Sequence, residues 1–149
     1  MAGERILKLG LPAGSLQKAT ADLFEKAGLR ILDSKRSYFP SMDDEEIQPV
    51  YLRAQEIGRY VGEGVLDVGI TGFDWIQEND CDVVEICELP YSKATSNPAR
   101  WVLAVPNESK VQKPEDLKGG IVATELLGVT KRFFQRSEER RVGKECRSR

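Results

Sequence analysis

Residues 66–75 begin as an apolar strand and end in a glycine-rich turn, Gly69-Ile70-Thr71-Gly72, directly before a helical pattern. Such a turn between a buried strand and a helix leaves backbone N–H groups and the hydroxyl of Thr71 facing outward, which is typical of the ligand-binding edge of an α/β sheet. Tight packing alone also requires glycine at such positions, so a single turn is weak support. A second turn strengthens it, because a strand at 8–11 is followed by Pro12-Ala13-Gly14-Ser15 and an amphipathic helix at 16–27.

Helical and strand patterns alternate from residue 5 to residue 86, which predicts an α/β fold with a largely parallel sheet. We expect Ser15 to cap the first helix and Gly28 to adopt the left-handed conformation after its end. The second helix should stop at Gly62 and Gly64. The remaining patterns predict strands at 29–33, 48–53, 65–70 and 83–87 and helices at 54–63 and 73–78.

Residues 89–98 are polar and contain two prolines, and we place a domain crossing there. The first α/β lobe then covers residues 1–95, and a second lobe covers 96–135. Strands at 100–105 and 121–123 and helices at 114–117 and 128–135 are predicted in the second lobe. A lobe with so few strands leaves apolar faces uncovered. We therefore expect the second lobe to be truncated and the natural protein to continue well beyond Gln135.

The tail, residues 136–149, has almost no apolar side chain and no helical stripe. A solvated basic tail and a nucleic-acid-binding arm are two interpretations of such a segment. The tail also resembles the translation of a widely used sequencing-library adapter, so we expect it to be non-native and to build no core. Of the 22 basic and 24 acidic residues, six and three lie in the tail, which leaves 16 and 21 in the rest of the chain and a net charge of −5 there. This balance argues against a nucleic-acid-binding protein, although not against local anion sites.

Several classes of protein are excluded by composition. No apolar run approaches the roughly 20 residues needed to span a bilayer, so we predict a globular protein that does not cross a membrane. The first residues show no secretory signal, which makes the cytoplasm the expected location. There is no histidine, and the three cysteines lack metal-binding spacing, so we expect reduced, non-catalytic thiols. Asp43-Asp44-Glu45-Glu46 could hold a metal ion, but four adjacent carboxylates more often form a solvated turn, and we interpret them as one.

Several ordered motifs resemble ATP phosphoribosyltransferase, the first enzyme of histidine biosynthesis. They are residues 8–16, 52–57 and 60–72 with Asp74, and the resemblance continues through 100–106 and 116–125. The resemblance implies a two-lobed fold like that of type II periplasmic binding proteins, with the active site between the lobes. It also implies the reaction, in which N1 of the ATP adenine displaces pyrophosphate from C1 of phosphoribosyl pyrophosphate, with Mg²⁺ carried on the leaving group.

Substrate-binding roles follow from the resemblance for eight residues: Gly14, Ser15, Arg53, Asp67, Thr71, Gly72, Thr124 and Glu125. For the first two, phosphate binding at a helix amino terminus competes with plain helix capping. Arg53 could bind phosphate, stack on adenine or form a surface ion pair. For Gly72 and Asp67, a structural role is the alternative to substrate binding. Gly72 could serve only the backbone conformation of the turn, and Asp67 could serve only to order the neighbouring strands. No residue receives a catalytic or metal-binding role.

The chain also departs from the family pattern. Ala13 stands where the family commonly has Lys, and Gly120-Ile121 stands where a basic pair is common. The family's phosphoribosyl pyrophosphate loop, an acidic residue shortly before Thr-Gly-x-Ser/Thr-Leu, has no match here. We therefore expect a truncated form with little or no activity, and a homo-oligomer or a regulatory subunit for the full-length protein. The alternative function is a non-enzymatic small-ligand-binding module with the same two-lobed fold.

Overall fold

A three-stranded parallel sheet forms the centre of the computed structural model, which describes residues 6–32, 37–89 and 100–145, with side chains as far as residue 137. The order of its strands is β4-β1-β5. The strands are β1 (Leu7–Pro12), β2 (Ile31–Leu32), β3 (Ser41–Met42), β4 (Ile47–Leu52) and β5 (Val68–Gly69). The helices are α1 (Gln17–Lys26), α2 (Ala54–Gly62), α3 (Phe73–Asn79) and α4 (Leu127–Glu145), with 3₁₀ turns at Gly14–Leu16 and Pro114–Leu117.

The two faces of the sheet are packed differently because side chains alternate along β1. On one face, Leu9 and Leu11 join Met42 and Tyr51 in a buried apolar cluster, against which Phe24 of α1 packs. On the other face, β1 and β5 present a pair of glycines, since Gly10 lies opposite Gly69 in the register. The buried side chain of Ile57 from α2 fits onto this pair, so the helix lies directly on the backbone of the sheet.

The helix ends largely follow the sequence predictions. Gly28 and Gly64 have φ angles of +88° and +73°, as expected for residues just past a helix. The prediction for Ser15 is wrong. It lies inside the 3₁₀ turn, and the capping positions belong to Ala13 and Leu16, neither of which makes a side-chain capping bond. An apolar side chain has no acceptor for the first helical N–H groups.

Residues 43–46 form the turn that we predicted, between β3 and β4. Asp44 Oδ1 accepts a hydrogen bond of 2.9 Å from the Glu46 N–H, which closes the turn locally. The Arg30 N–H donates to Asp43 Oδ1 at 2.8 Å, and this bond holds the pKa of Asp43 below its usual value. The short antiparallel pairing of β2 with β3 was not anticipated from the sequence.

Several predicted strands are shorter than expected or are not formed. β5 is limited to two residues because the N–H groups of Val65 and Leu66 donate to the carbonyl of Tyr60 at the end of α2. The strands predicted at 83–87, 100–105 and 121–123 make no ladder in the described part of the chain. Apolar periodicity indicates a tendency to be a strand, whereas a ladder also needs a neighbouring strand.

The chain divides into two compact units, Met1–Pro98 and Ala99–Arg149. Residues 90–99 lie outside the described residues, so the predicted crossing there and the boundary after residue 95 stay predictions. In the second unit, the 3₁₀ turn Pro114–Leu117 has the predicted bounds. α4 continues ten residues past Gln135, the predicted end of this helix, into the tail. Arg, Glu and Lys are strong helix formers, so a helix begun by an apolar segment can extend through them.

The α/β class with a parallel sheet is confirmed. Within the described ranges, none of the helices combines the length and apolar character that crossing a bilayer requires.

Candidate functional site

The carboxyl ends of β1, β4 and β5 meet at one edge of the parallel sheet, and each continues into a helix or a 3₁₀ turn. We call residues 13–15, 53 and 71–72 the carboxyl edge. Its alignment is fixed by two backbone hydrogen bonds, one of 2.7 Å from the Ala13 N–H to the Leu52 carbonyl and one of 3.0 Å from the Ile70 N–H to the Gly10 carbonyl. Since neighbouring strands lie about 4.8 Å apart, the three strand ends lie within about 10 Å of one another.

The turn after β1 is exposed and left-handed at Gly14. Its φ angle is +77°, and a Cβ built there would meet nothing within 4 Å. A side chain would therefore be strained by the backbone rather than by crowding. Neither Ala13 nor Leu16 makes a side-chain capping bond, and Gly14 and Ser15 are exposed residues at the start of a helical segment. Backbone amides at such a position suit an anion.

Arg53 links β4 to α2 and supplies the cation of the carboxyl edge. Its backbone is extended (φ −66°, ψ 135°), and its side chain is exposed. Among the described residues it makes no ion pair, so the surface ion pair that we considered is not formed within that part of the chain. A guanidinium at this position can present two parallel N–H donors to a phosphate or carboxylate.

The side chain of the turn after β5 makes a contact within the fold. The Thr71 hydroxyl donates a hydrogen bond of 2.6 Å to the Ala54 carbonyl in the first turn of α2. This hydrogen bond corrects the expectation from the sequence that the hydroxyl faces outward. Because the hydroxyl proton is used in it, only the lone pairs of the Thr71 oxygen remain available to a ligand. Gly72 precedes α3 with an extended backbone, and the carboxylate of Asp74 lies in the space that a Cβ at residue 72 would occupy. A side chain at residue 72 would collide with that carboxylate.

Asp67 lies at the opposite, amino edge of the sheet. Its Oδ2 accepts a hydrogen bond of 2.9 Å from the Lys8 N–H, and its own N–H donates to the Lys8 carbonyl at 3.1 Å. This reciprocal pair fixes the start of β1 against the start of β5. The structure therefore does not bring Asp67 together with the carboxyl edge, and the contacts of its side chain are those of a residue that orders the strands.

Thr124 and Glu125 belong to the second unit, just before α4. Thr124 Oγ1 accepts a hydrogen bond of 3.1 Å from the Leu126 N–H and lies 2.9 Å from Thr130 Oγ1. These contacts are those of a hydroxyl at the start of a helix. Glu125 is exposed. The predicted ligand roles of both residues stay predictions.

Cys81 lies away from the carboxyl edge, beyond the far end of α3. Cys81 follows the carboxyl end of α3 and packs against Gly58 of α2, where a built Cβ would lie 3.1 Å from Sγ. Burial raises the pKa of the Cys81 thiol, and the charge of Asp80 raises it further. A thiol with a raised pKa is a poor nucleophile at neutral pH.

Sequence reasoning missed one residue directly beside the carboxyl edge. It is Phe73, the first residue of α3. Its side chain is 61% exposed although it is aromatic. The sequence did contain a signal for an exposed ring here, because an aromatic residue directly follows the glycine turn at a position that the helical pattern does not predict to be buried.

Comparison with known proteins supports a single family. The family model HisG, described as ATP phosphoribosyltransferase, matches residues 53–144. Curated proteins named ATP phosphoribosyltransferase match at 58% identity in Geotalea daltonii and 57% in Geotalea uraniireducens, each over 129 residues, or 87% of this chain and 44% of the relative. Another, ATP phosphoribosyltransferase 1 of Geobacter sulfurreducens, is 55% identical over the same share of each chain. This chain thus spans less than half the length of these relatives.

Among solved structures, a chain of the ATP phosphoribosyl transferase (HisG:HisZ) complex from Thermotoga maritima is 24% identical, with a TM-score of 0.49. The alignment covers 58% of this chain and 41% of that chain. The family model alone covers well over half of the residues, and the identity to the curated relatives exceeds one half. The chain therefore belongs to the ATP phosphoribosyltransferase family.

Proposed function

We propose that the carboxyl edge is the part of an ATP phosphoribosyltransferase site that binds the anionic groups of ATP or phosphoribosyl pyrophosphate. One observation supports this above the others. Three strand ends place a left-handed glycine turn, an arginine without an ion pair to described residues and a second glycine turn at one edge of the sheet. Amide donors and a cation held on rigid strands are suited to phosphate.

The chemistry of the family fits a site without histidine. In the proposed reaction, N1 of adenine attacks C1 of the ribose, the C1–O bond breaks, and pyrophosphate leaves with the bonding electrons. A displacement of this kind depends mainly on holding the reactants in line and on neutralising the leaving group. Gly14 and Ser15 would supply amide donors, and Arg53 would supply a fixed positive charge.

Mg²⁺ enters this proposal as part of the substrate. Among the described residues, no group of three or more acidic or cysteine side chains could hold a metal ion. Mg²⁺ commonly keeps its waters and binds phosphate oxygens directly, so we place it on the pyrophosphate group and assign it no protein ligand.

Three further statements belong to the same proposal. The 149-residue chain should have little or no turnover, because it spans 44% of the length of its curated relatives and lacks a match to the phosphoribosyl pyrophosphate loop. In the full-length protein we expect a homo-oligomer or an association with a regulatory subunit. A cytoplasmic location also stays a prediction.

Calorimetric titration of the 149-residue chain tests the binding proposal. We expect ATP and inorganic pyrophosphate to bind, and Arg53→Ala to weaken both by about tenfold or more, since hydrogen bonds to charged groups contribute about 1.5–3 kcal/mol. Arg59→Ala is the matched control, because Arg59 lies within α2 and pairs with Glu63 at the exposed surface. Equal losses in the two variants would contradict a specific role for Arg53.

Two further measurements separate the alternatives. Binding of small amino acids but not of ATP or pyrophosphate would favour the non-enzymatic module. A steady-state assay for pyrophosphate release at high protein concentration should show almost no turnover. Turnover typical of an enzyme would contradict the claim that this chain is incomplete.

A further inference from the structure

The exposed aromatic side chains of the first unit are unevenly distributed. Among its described residues, three large aromatic side chains are exposed: Tyr38 (71%), Phe39 (68%) and Phe73 (61%). All three lie towards the carboxyl end of the sheet. At the amino edge, the exposed large apolar residues are aliphatic: Ile6, Leu7 and Val65. Exposed rings gathered at the edge that presents amides and a cation indicate a ligand with both a flat π face and an anionic group.

Tyr38 and Phe39 flank the carboxyl end of β4. Tyr51 is the penultimate residue of β4, and its N–H donates a hydrogen bond of 2.7 Å to the Tyr38 carbonyl. The Ser37 hydroxyl donates to the Phe39 carbonyl and accepts from the Phe39 N–H, each at 3.0 Å. The backbone of this turn is thus fixed against the side of β4 away from β1.

Phe73 flanks the opposite end of the same edge. Because side chains in an α-helix tilt towards its amino terminus, a first-turn residue extends over the turn that precedes the helix. For Phe73 that turn is Thr71-Gly72, which continues β5. The ends of β1 and β4, with Gly14 and Arg53, follow at about 5 and 10 Å across the sheet.

We propose that Phe73 is a specificity-determining residue whose ring stacks on the purine base of the bound nucleotide while the phosphates lie towards Gly14 and Arg53. The inference rests on the proposed function and adds to it the position of the base. A purine nucleotide carries both chemical features that this edge presents, and a ring that stays exposed without ligand is available for stacking without rearrangement of the core. The other flank, at Phe39, is the alternative position of the base, which the experiment distinguishes.

The test compares ATP with pyrophosphate, which has no base, in calorimetric titrations of the 149-residue chain. Phe73→Leu should weaken ATP binding about fivefold or more and leave pyrophosphate binding within twofold, because the change removes a π face and keeps an apolar side chain. Phe73→Trp should retain or improve ATP binding. Val65→Ala, an exposed apolar change at the amino edge, is the control and should alter neither affinity.

The outcomes are distinct. Unchanged ATP affinity in Phe73→Leu overturns the inference, and so does an equal loss for both ligands, which would mean that the ring only supports the turn. A selective loss in Phe39→Leu instead of Phe73→Leu would place the base on the other flank and overturn it as well. If the unsubstituted chain binds neither ligand, the proposed function itself fails.

Discussion

The contact between Gly69 and Ile57 yields the sharpest quantitative prediction. A Cβ added at Gly69 would collide with Cγ2 of Ile57 and lie 3.3 Å from Cγ2 of Val61. Ile57 is fully buried, so its methyl group cannot swing into solvent. Gly69 does not have a positive φ angle, which means that alanine is allowed by the backbone and only the packing opposes it. We therefore expect Gly69→Ala to lower the free energy of unfolding of the first unit by about 1–3 kcal/mol.

The cause can be tested with a second substitution. Ile57→Leu removes the branch methyl at Cβ while it conserves side-chain volume, and by itself should cost less than about 1.5 kcal/mol. In the double variant the collision is relieved, so its loss of stability should be clearly smaller than the sum of the two single losses. Gly62→Ala is the matched control, because its Cβ would make only ordinary contacts, the nearest at 3.4 Å to the Asp82 carbonyl oxygen.

Urea unfolding monitored by tryptophan fluorescence is the appropriate measurement. Trp75 lies half-buried in α3 of the first unit, and a Trp101→Phe background removes the signal of the second unit. The free energies then follow from the midpoint and the slope of each transition. If Gly69→Ala unfolds at the same urea concentration as Gly62→Ala, or if Ile57→Leu gives no relief, the close packing of α2 on the glycine pair is refuted.

Further predictions concern three residues whose side chains already make contacts within the first unit, Thr71, Asp67 and Cys81. Thr71→Val should lower the stability of the first unit by about 1 kcal/mol through loss of the hydrogen bond to the Ala54 carbonyl, and Thr71→Ser should restore it in urea unfolding. Asp67→Ala should lower stability by a similar amount through loss of its bond to the Lys8 N–H, yet leave the Kd for ATP unchanged in calorimetry; a selective loss of ATP affinity would return Asp67 to the site. Because the pKa of the Cys81 thiol is raised, its alkylation by iodoacetamide, followed by mass spectrometry, should be slower at pH 8 than that of a cysteine in a short peptide. The same shift means that the folded state disfavours the thiolate, so stability should fall as the pH rises through and above the ordinary thiol value of 9.0.

Local signals predicted the parts of the fold that depend on few residues. The ends of α1 and α2 were located from Gly28 and Gly64, because a left-handed residue after a helix is a property of the backbone at that position. The strand, turn and helix sequence at β1 and β5 was likewise recognisable from alternating apolar residues and glycines. The parallel arrangement followed from the alternation of strands and helices.

Failures of the sequence predictions involve partners that are distant in the chain. Residues 83–87 have the composition of a strand, but Val84 and Ile86 are 82% and 79% exposed, and no ladder forms there in the described part of the chain. The Thr71 hydroxyl was expected to face a ligand, whereas α2 takes its hydrogen bond. Neither outcome is encoded within a short window, because both depend on which segment lies alongside.

By itself the sequence determined that two glycine turns follow apolar strands and that the chain belongs among α/β proteins, since steric rules for glycine and alternating side chains act over a few residues. Tertiary structure alone decided that Gly14, Arg53 and Gly72 share an edge, that Asp67 lies at the opposite one, and that Phe73 stays exposed. Those assignments depend on the strand order β4-β1-β5, and strand order is set by contacts between residues far apart in the chain.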